Sequence, residues 1–91
     1  MLTKAVLSVL GQDRKGIVAT IAATLFQTGA NIDDISQTIL GEMFSMTMLI
    51  TLDESVCSFA DLQELLAKDS ATLGVQIVLQ RQDIFDFMYK I

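Results

Sequence analysis

A chain of 91 residues is long enough to build one domain with its own core and too short for two, so residues 1–91 are read as a single domain. Eleven acidic against six basic residues give a net charge of −5, which speaks against a nucleic-acid partner, because affinity for a phosphate backbone comes mostly from cationic side chains. Histidine is missing altogether, which excludes imidazole acid–base chemistry, His metal ligation and His-activated nucleophiles.

Hydrophobic residues make up 52% of the chain and the mean hydropathy is +0.52, yet no unbroken apolar run reaches the roughly 18 residues of a membrane span. The surplus apolar surface is therefore expected in a core or against a partner, with no membrane involved. The first residues, MLTKAVLSVLG, show neither a basic n-region nor an A-x-A cleavage site. With the single Cys57 unable to form an internal disulfide, a cytoplasmic protein is expected.

In chain order, Leu2 to Leu10 is rich in Val and Leu and predicts a central, largely buried strand. GQDRKG, Gly11 to Gly16, follows as a turn. Ile17, Val18, Ile21, Ala22, Leu25 and Phe26 then recur at helical spacing, with Asp13 placed to act as N-cap or first-turn acid and Gly29 as the left-handed stop. No charge falls between Ile17 and Ile32, and Thr20, Thr24 and Thr28 are read as an outward stripe that packs against something.

Asn31 to Leu40 and the alternating Phe44, Met46, Met48 and Ile50 predict two strands joined by a type II′ hairpin at Gly41-Glu42. Ser58 and Asp61 resemble a capping box opening a helix whose inner face is Phe59, Leu62, Leu65, Leu66 and Leu73, with Gly74 at its end. Val75, Ile77 and Leu79 alternate through a last strand. Ile84, Phe87, Met88 and Ile91 stand at i, i+3, i+4 and i+7, which predicts a short C-terminal amphipathic helix that must dock on something to be stable.

The order βαββαβ, with right-handed crossovers, implies an α+β, ferredoxin-like domain: a four-stranded antiparallel sheet, two helices on one face, and the short C-terminal helix. Leu49 and Val78 point away from the expected core, so the other face is expected to be covered as well, by a dimer or by the C-terminal helix. Many functions share this fold, and the site must decide among them. A metal-carrying version would show C-x-x-C after the first strand, and here there is none. An RNA-binding version needs aromatics on that strand, which has none. Gly11-x-x-x-x-Gly16 is followed by Ile17-Val18 rather than Lys-Ser/Thr, so it is not a P-loop. Met43, Met46 and Met48 read as core filler rather than a soft-metal site, and Cys57 as an inert thiol.

The stretch GQDRKGIVATIAATLFQTGANIDDISQTI resembles the ACT domain, in which a first strand ends in a D-x-x-G turn, a helix rich in Ile, Val and Ala follows, and a G-A-N-I segment opens the second strand. The likeness runs from Leu2 to Arg81, and the tail QDIFDFMYKI resembles the end of small, stand-alone bacterial members. It implies a non-enzymatic regulatory module, without catalytic residues, metal or cofactor, that binds an amino acid or similar small ligand between two domains paired edge to edge. The implied ligand-binding residues are Gln12, Asp13, Arg14, Lys15 and Gly16 of one chain and Asn31, Ile32, Asp33 and Asp34 of its partner. Many family members have Pro where this chain has Lys15.

Elementary chemistry agrees with that role. Free N–H groups at a helix N-terminus attract a carboxylate, Gly16 admits a ligand close to the backbone, and Asp33 or Asp34 meets an ammonium. A plain solvated turn accounts for GQDRKG equally well, and Asn31 suits turn geometry after Gly29. Two readings follow: a ligand-sensing homodimer, or an interaction subunit that regulates a partner enzyme without binding a ligand. A third, a small enzyme using Asp33 and Asp34, ranks last, because adjacent residues of a regular strand point to opposite faces.

Overall fold

The computed structural model of the chain describes residues 2–13 and 15–83. Its elements are β1 (Leu2–Gln12), α1 (Ile17–Gln27), β2 (Asn31–Leu40), β3 (Met43–Asp53), α2 (Phe59–Leu73) and β4 (Gln76–Arg81). The strands form one antiparallel sheet in the order β2-β3-β1-β4, with both helices on one face, so the ferredoxin-like arrangement is the observed one. The expected C-terminal helix, with Ile84, Phe87, Met88 and Ile91, lies outside the described residues, as does Arg14.

Period-two alternation decides the core. Ala5, Leu7 and Val9 of β1 and Phe44, Met46, Met48, Ile50 and Leu52 of β3 face the helices. There they meet Ile17, Ile21 and Leu25 of α1 and Leu62, Leu66 and Leu73 of α2. Met46 and Met48 fill the core as expected, whereas Met43 sits half-exposed on the opposite face. Burying each aliphatic side chain contributes about 1.5–3 kcal/mol, so this layer dominates stability.

The caps differ between the helices. Ser58 accepts a hydrogen bond from the Asp61 amide at 3.1 Å and α2 closes on left-handed Gly74, as the sequence predicts. At α1 the expectation for Asp13 fails: the N-cap is Gly16, no side chain caps the helix, and no acid lies in its first turn. The cause is that β1 runs on to Gln12, which pairs with Met43, so Asp13 is spent tying the turn to the β2–β3 hairpin through its amide and the Glu42 carbonyl, 2.7 Å apart. Gly11 is therefore a strand residue, and a Cβ there would lie 2.8 Å from Val75 Cγ1.

The phase of α1 also departs from the expectation. Phe26 follows Ile17 by nine residues, about half a turn out of phase, and is 85% exposed on a stripe with Ala19, Ala22 and Ala23. The threonines turn inward instead: Thr24 and Thr28 are buried, Thr24 donating to Asp69 on α2 and Thr28 to the Leu25 carbonyl. Thr24 thus ties the stripe to α2 of the same chain.

Candidate functional site

The first half of the candidate site is the turn from Asp13 to Gly16. Gly16 adopts φ +86°, which an L-residue rarely takes, and no atom lies within 4 Å of where a Cβ would stand. Its carbonyl accepts the Thr20 amide at 2.9 Å, which starts the α1 ladder. The amides of the first turn have no side-chain cap, and the positive end of the helix dipole lies there with the exposed Lys15 just before it in the chain. Gln12, read from sequence as a turn residue, belongs to β1 instead.

The second half is built on a β-bulge. Ile32 pairs with Ile50 and Asp34 with Leu49, leaving Asp33 as the extra residue. The bulge brings Asp33 onto the same sheet face as Asp34 and overturns the expectation that the two carboxylates point apart. Asn31 Nδ2 donates to Asp33 Oδ1 at 2.6 Å and Thr51 Oγ1 donates to Oδ2 at 2.6 Å. These bonds, Thr51 first and Asn31 second with Lys4 adding a smaller attraction, hold the Asp33 carboxyl below its ordinary range. Asp34 bends back to accept the Ile35 amide at 2.8 Å. Lys4 and Thr51 escaped the sequence reading because only the strand register brings them beside Asp33.

Ile32 points to the other face and lines a groove of about 640 Å³ with Ala19, Ala22, Phe26 and Ala30. The groove is apolar and open, continuous with the exposed Ile35 and Ile39 of β2. The sequence held a signal for it in the lack of any charge between Ile17 and Ile32.

The two halves do not meet within one chain. Asn31–Asp34 opens β2, whereas Asp13 is bonded to the hairpin that follows its end at Leu40. Ten strand residues separate them by roughly 30 Å. Elsewhere among the described residues, Cys57 is half-buried, and burial, then the nearby Asp61, pushes its thiol pKa up, away from a reactive thiolate. No group of three or more His, Cys, Asp or Glu able to hold a metal occurs among the described residues, and no helix there is long and apolar enough to cross a membrane.

Comparison with known proteins fits this architecture. The chain matches the ACT domain family over residues 3–80. It is 46% identical over 90 residues to a UPF0237 protein of Methanocaldococcus jannaschii, covering 99% of this chain and 100% of that one. A UPF0237 protein of Streptococcus mutans is 41% identical over 88 residues, covering 97% and 99%. Among solved structures, an ACT domain protein from Streptococcus pneumoniae superposes with a TM-score of 0.79 at 39% identity, covering 92% of this chain and 94% of that one. ACT domains are regulatory ligand-binding domains, and by sequence, strand order and the extent of the match this small chain belongs to the ACT domain family.

Proposed function

We propose that the protein is a non-enzymatic cytoplasmic regulator that pairs through β2 with a second copy and holds an amino acid or similar zwitterion at each end of the seam. The observation that carries this reading is the position of the two half-sites at opposite ends of an edge strand exposed at all ten of its residues. In a two-fold pairing the β2 strands run antiparallel, so the partner's Asn31–Asp34 segment comes beside this chain's hairpin and its Asp13–Gly16 turn. The α1 amides and Lys15 then suit a carboxylate, and Asp33 with Asp34 an ammonium.

Titration calorimetry and thermal-shift screening against the common amino acids test it. At a ligand concentration one hundred times Kd the expected stabilisation is about 2.7 kcal/mol, and Asp33→Ala should remove it. No response to any amino acid would count against ligand sensing. One observation favours the alternative of a ligand-free subunit docking on a partner enzyme: both Asp33 oxygens already accept hydrogen bonds within the chain. Under that alternative Asp33→Ala leaves partner capture unchanged while Phe26→Asp, in the exposed apolar groove, abolishes it.

A further inference from the structure

The free edge of β2 is chemically symmetric. From either end, Ile35-Ser36-Gln37-Thr38-Ile39 reads as an isoleucine, a hydroxyl residue, an amide, a hydroxyl residue and an isoleucine. All of these side chains are exposed, and they alternate between faces. Ile35, Gln37 and Ile39 pair with Met48, Met46 and Phe44 on the helix side, and Ser36 and Thr38 with Thr47 and Ser45 on the other. The backbone follows the same order. Leu40 and Met43 close the Gly41-Glu42 turn, and their carbonyl and amide are the bonded pair of a β-turn. Bonded pairs alternate along an antiparallel ladder, so Thr38 and Ser36 also bond to β3, while Ile39, Gln37 and Ile35 turn their N–H and C=O groups outward. The Ile35 amide agrees with this phase, because it donates to the carboxylate of Asp34 at 2.8 Å.

We infer that two copies pair in a single register, about a two-fold axis through Gln37, an inference that rests on the β2 pairing proposed above. A two-fold contact must be self-complementary, residue for residue, and this strand is so only about its central amide. Ile35 then stands opposite the partner's Ile39, Ser36 opposite the partner's Thr38 and Gln37 opposite the partner's Gln37. Like meets like throughout, and each outward-facing pair exchanges both of its backbone hydrogen bonds. Slipping by two residues loses this match. In one direction Gln37 meets Ile39 and Ile35 runs into the Gly41 turn; in the other Gln37 meets Ile35 and Ile39 runs into the bulge at Asp33. On pairing, the Ile35 amide passes from Asp34 to the partner's Ile39 carbonyl. That releases the Asp34 carboxylate opposite the partner's Leu40, beside the hairpin where the end site calls for an acid to meet an ammonium.

Nuclear Overhauser cross-peaks between the Hα atoms of Ser36 in one chain and Thr38 in the other test the register. Those two residues form the close, non-bonded kind of antiparallel pair, with Cα atoms about 4.5 Å apart. Mixing isotope-labelled with unlabelled protein selects contacts between chains. The expected result is that cross-peak in the unaltered protein. Gln37→Glu and Gln37→Lys should each weaken self-association by roughly fivefold, since like charges then face each other, and an equimolar mixture of the two should restore it. Only a residue that faces its own copy behaves so. Cross-peaks between chains from Ser36 to Ser36 or from Thr38 to Thr38, or a mixture without rescue, overturn the register and leave β2 pairing in place. A protein that sediments as a monomer at the same concentration, or contacts between chains that avoid β2, overturns both.

Discussion

The two edges of the sheet are built in opposite ways. β4 is six residues long and closed off: Gln63 Nε2 on α2 donates to the Leu79 carbonyl at 3.2 Å. Its last residue, Arg81, lies 4.5 Å above the Phe59 ring and pairs with Glu54 at 3.3 Å. Glu54 in turn accepts the Thr3 hydroxyl and the Phe59 amide, so one carboxylate fastens β1, α2 and β4 together. β2 is ten residues long, exposed throughout, carries no cation, and shows Ile32, Ile35 and Ile39 beside the bare Phe26. Proteins that must stay apart guard such an edge with short strands, charge or a covering side chain. The β4 edge has those devices; along β2 the charge and the bulge are confined to Asp33 and Asp34, and residues 35–40 carry none of them, which supports β2 as the edge of the proposed pairing.

The largest expected effect comes from loosening the guarded side. In Gly11→Ala the new Cβ would stand 2.8 Å from Val75 Cγ1 and 3.1 Å from Val75 Cα, and backbone cannot move aside as a side-chain tip does. The cost should be about 1–3 kcal/mol, read as a lower melting temperature at unchanged oligomeric mass. An unaltered melting temperature would mean that the β4 side is not the rigid one.

Next is the open side. Ile35 is 41% exposed, so Ile35→Lys should fold while placing a cation on the bare edge. Sedimentation should show the proposed dimer weakened at least tenfold, about 1.4 kcal/mol, whereas Gln76→Lys on β4 should leave the mass unchanged. Equal effects at both edges would erase the contrast.

Sequence periodicity made most of the fold legible, because each helix and strand carries its own repeat: Leu62 and Leu66 on α2, or Met46, Met48 and Ile50 on β3, announce their faces unaided. It failed where a single residue breaks the repeat. The bulge at Asp33 changes which face the next side chain takes, and no turn residue marks it. Phe26 counted as core because it follows Ala22 by four residues and Leu25 by one, although its phase puts it opposite Ile17. Asp13 looked like a cap because the end of β1 is set by pairing with β3, a long-range matter that local composition does not encode. The candidate site was legible only as two halves for a related reason: their separation follows from strand direction, and their reunion requires a second chain.

The smallest effect separates the same two regions by pH. Hydrogen bonds hold the Glu54 carboxyl at the closed edge below its ordinary value of 4.5, Thr3 contributing most and Arg81 next. At the open edge, Thr51 and then Asn31 hold Asp33 below 3.8. For a carboxylate depressed in the folded state, the unfolded chain binds more protons near pH 4, so stability rises with pH there. Each contribution is complete above the ordinary value and is lost as pH falls through the depressed one. Melting temperature measured downward from pH 6 should therefore decline below about pH 4.5, and Glu54→Gln or Asp33→Asn should each flatten that decline. Salt distinguishes the causes, because the leading donors are neutral hydroxyls, which ions do not screen, while Arg81 and Lys4 are charges, which they do. The decline should persist in high salt at both edges; a collapse of the Glu54 part alone would show that Arg81, rather than the Thr3 hydroxyl, fastens the closed edge.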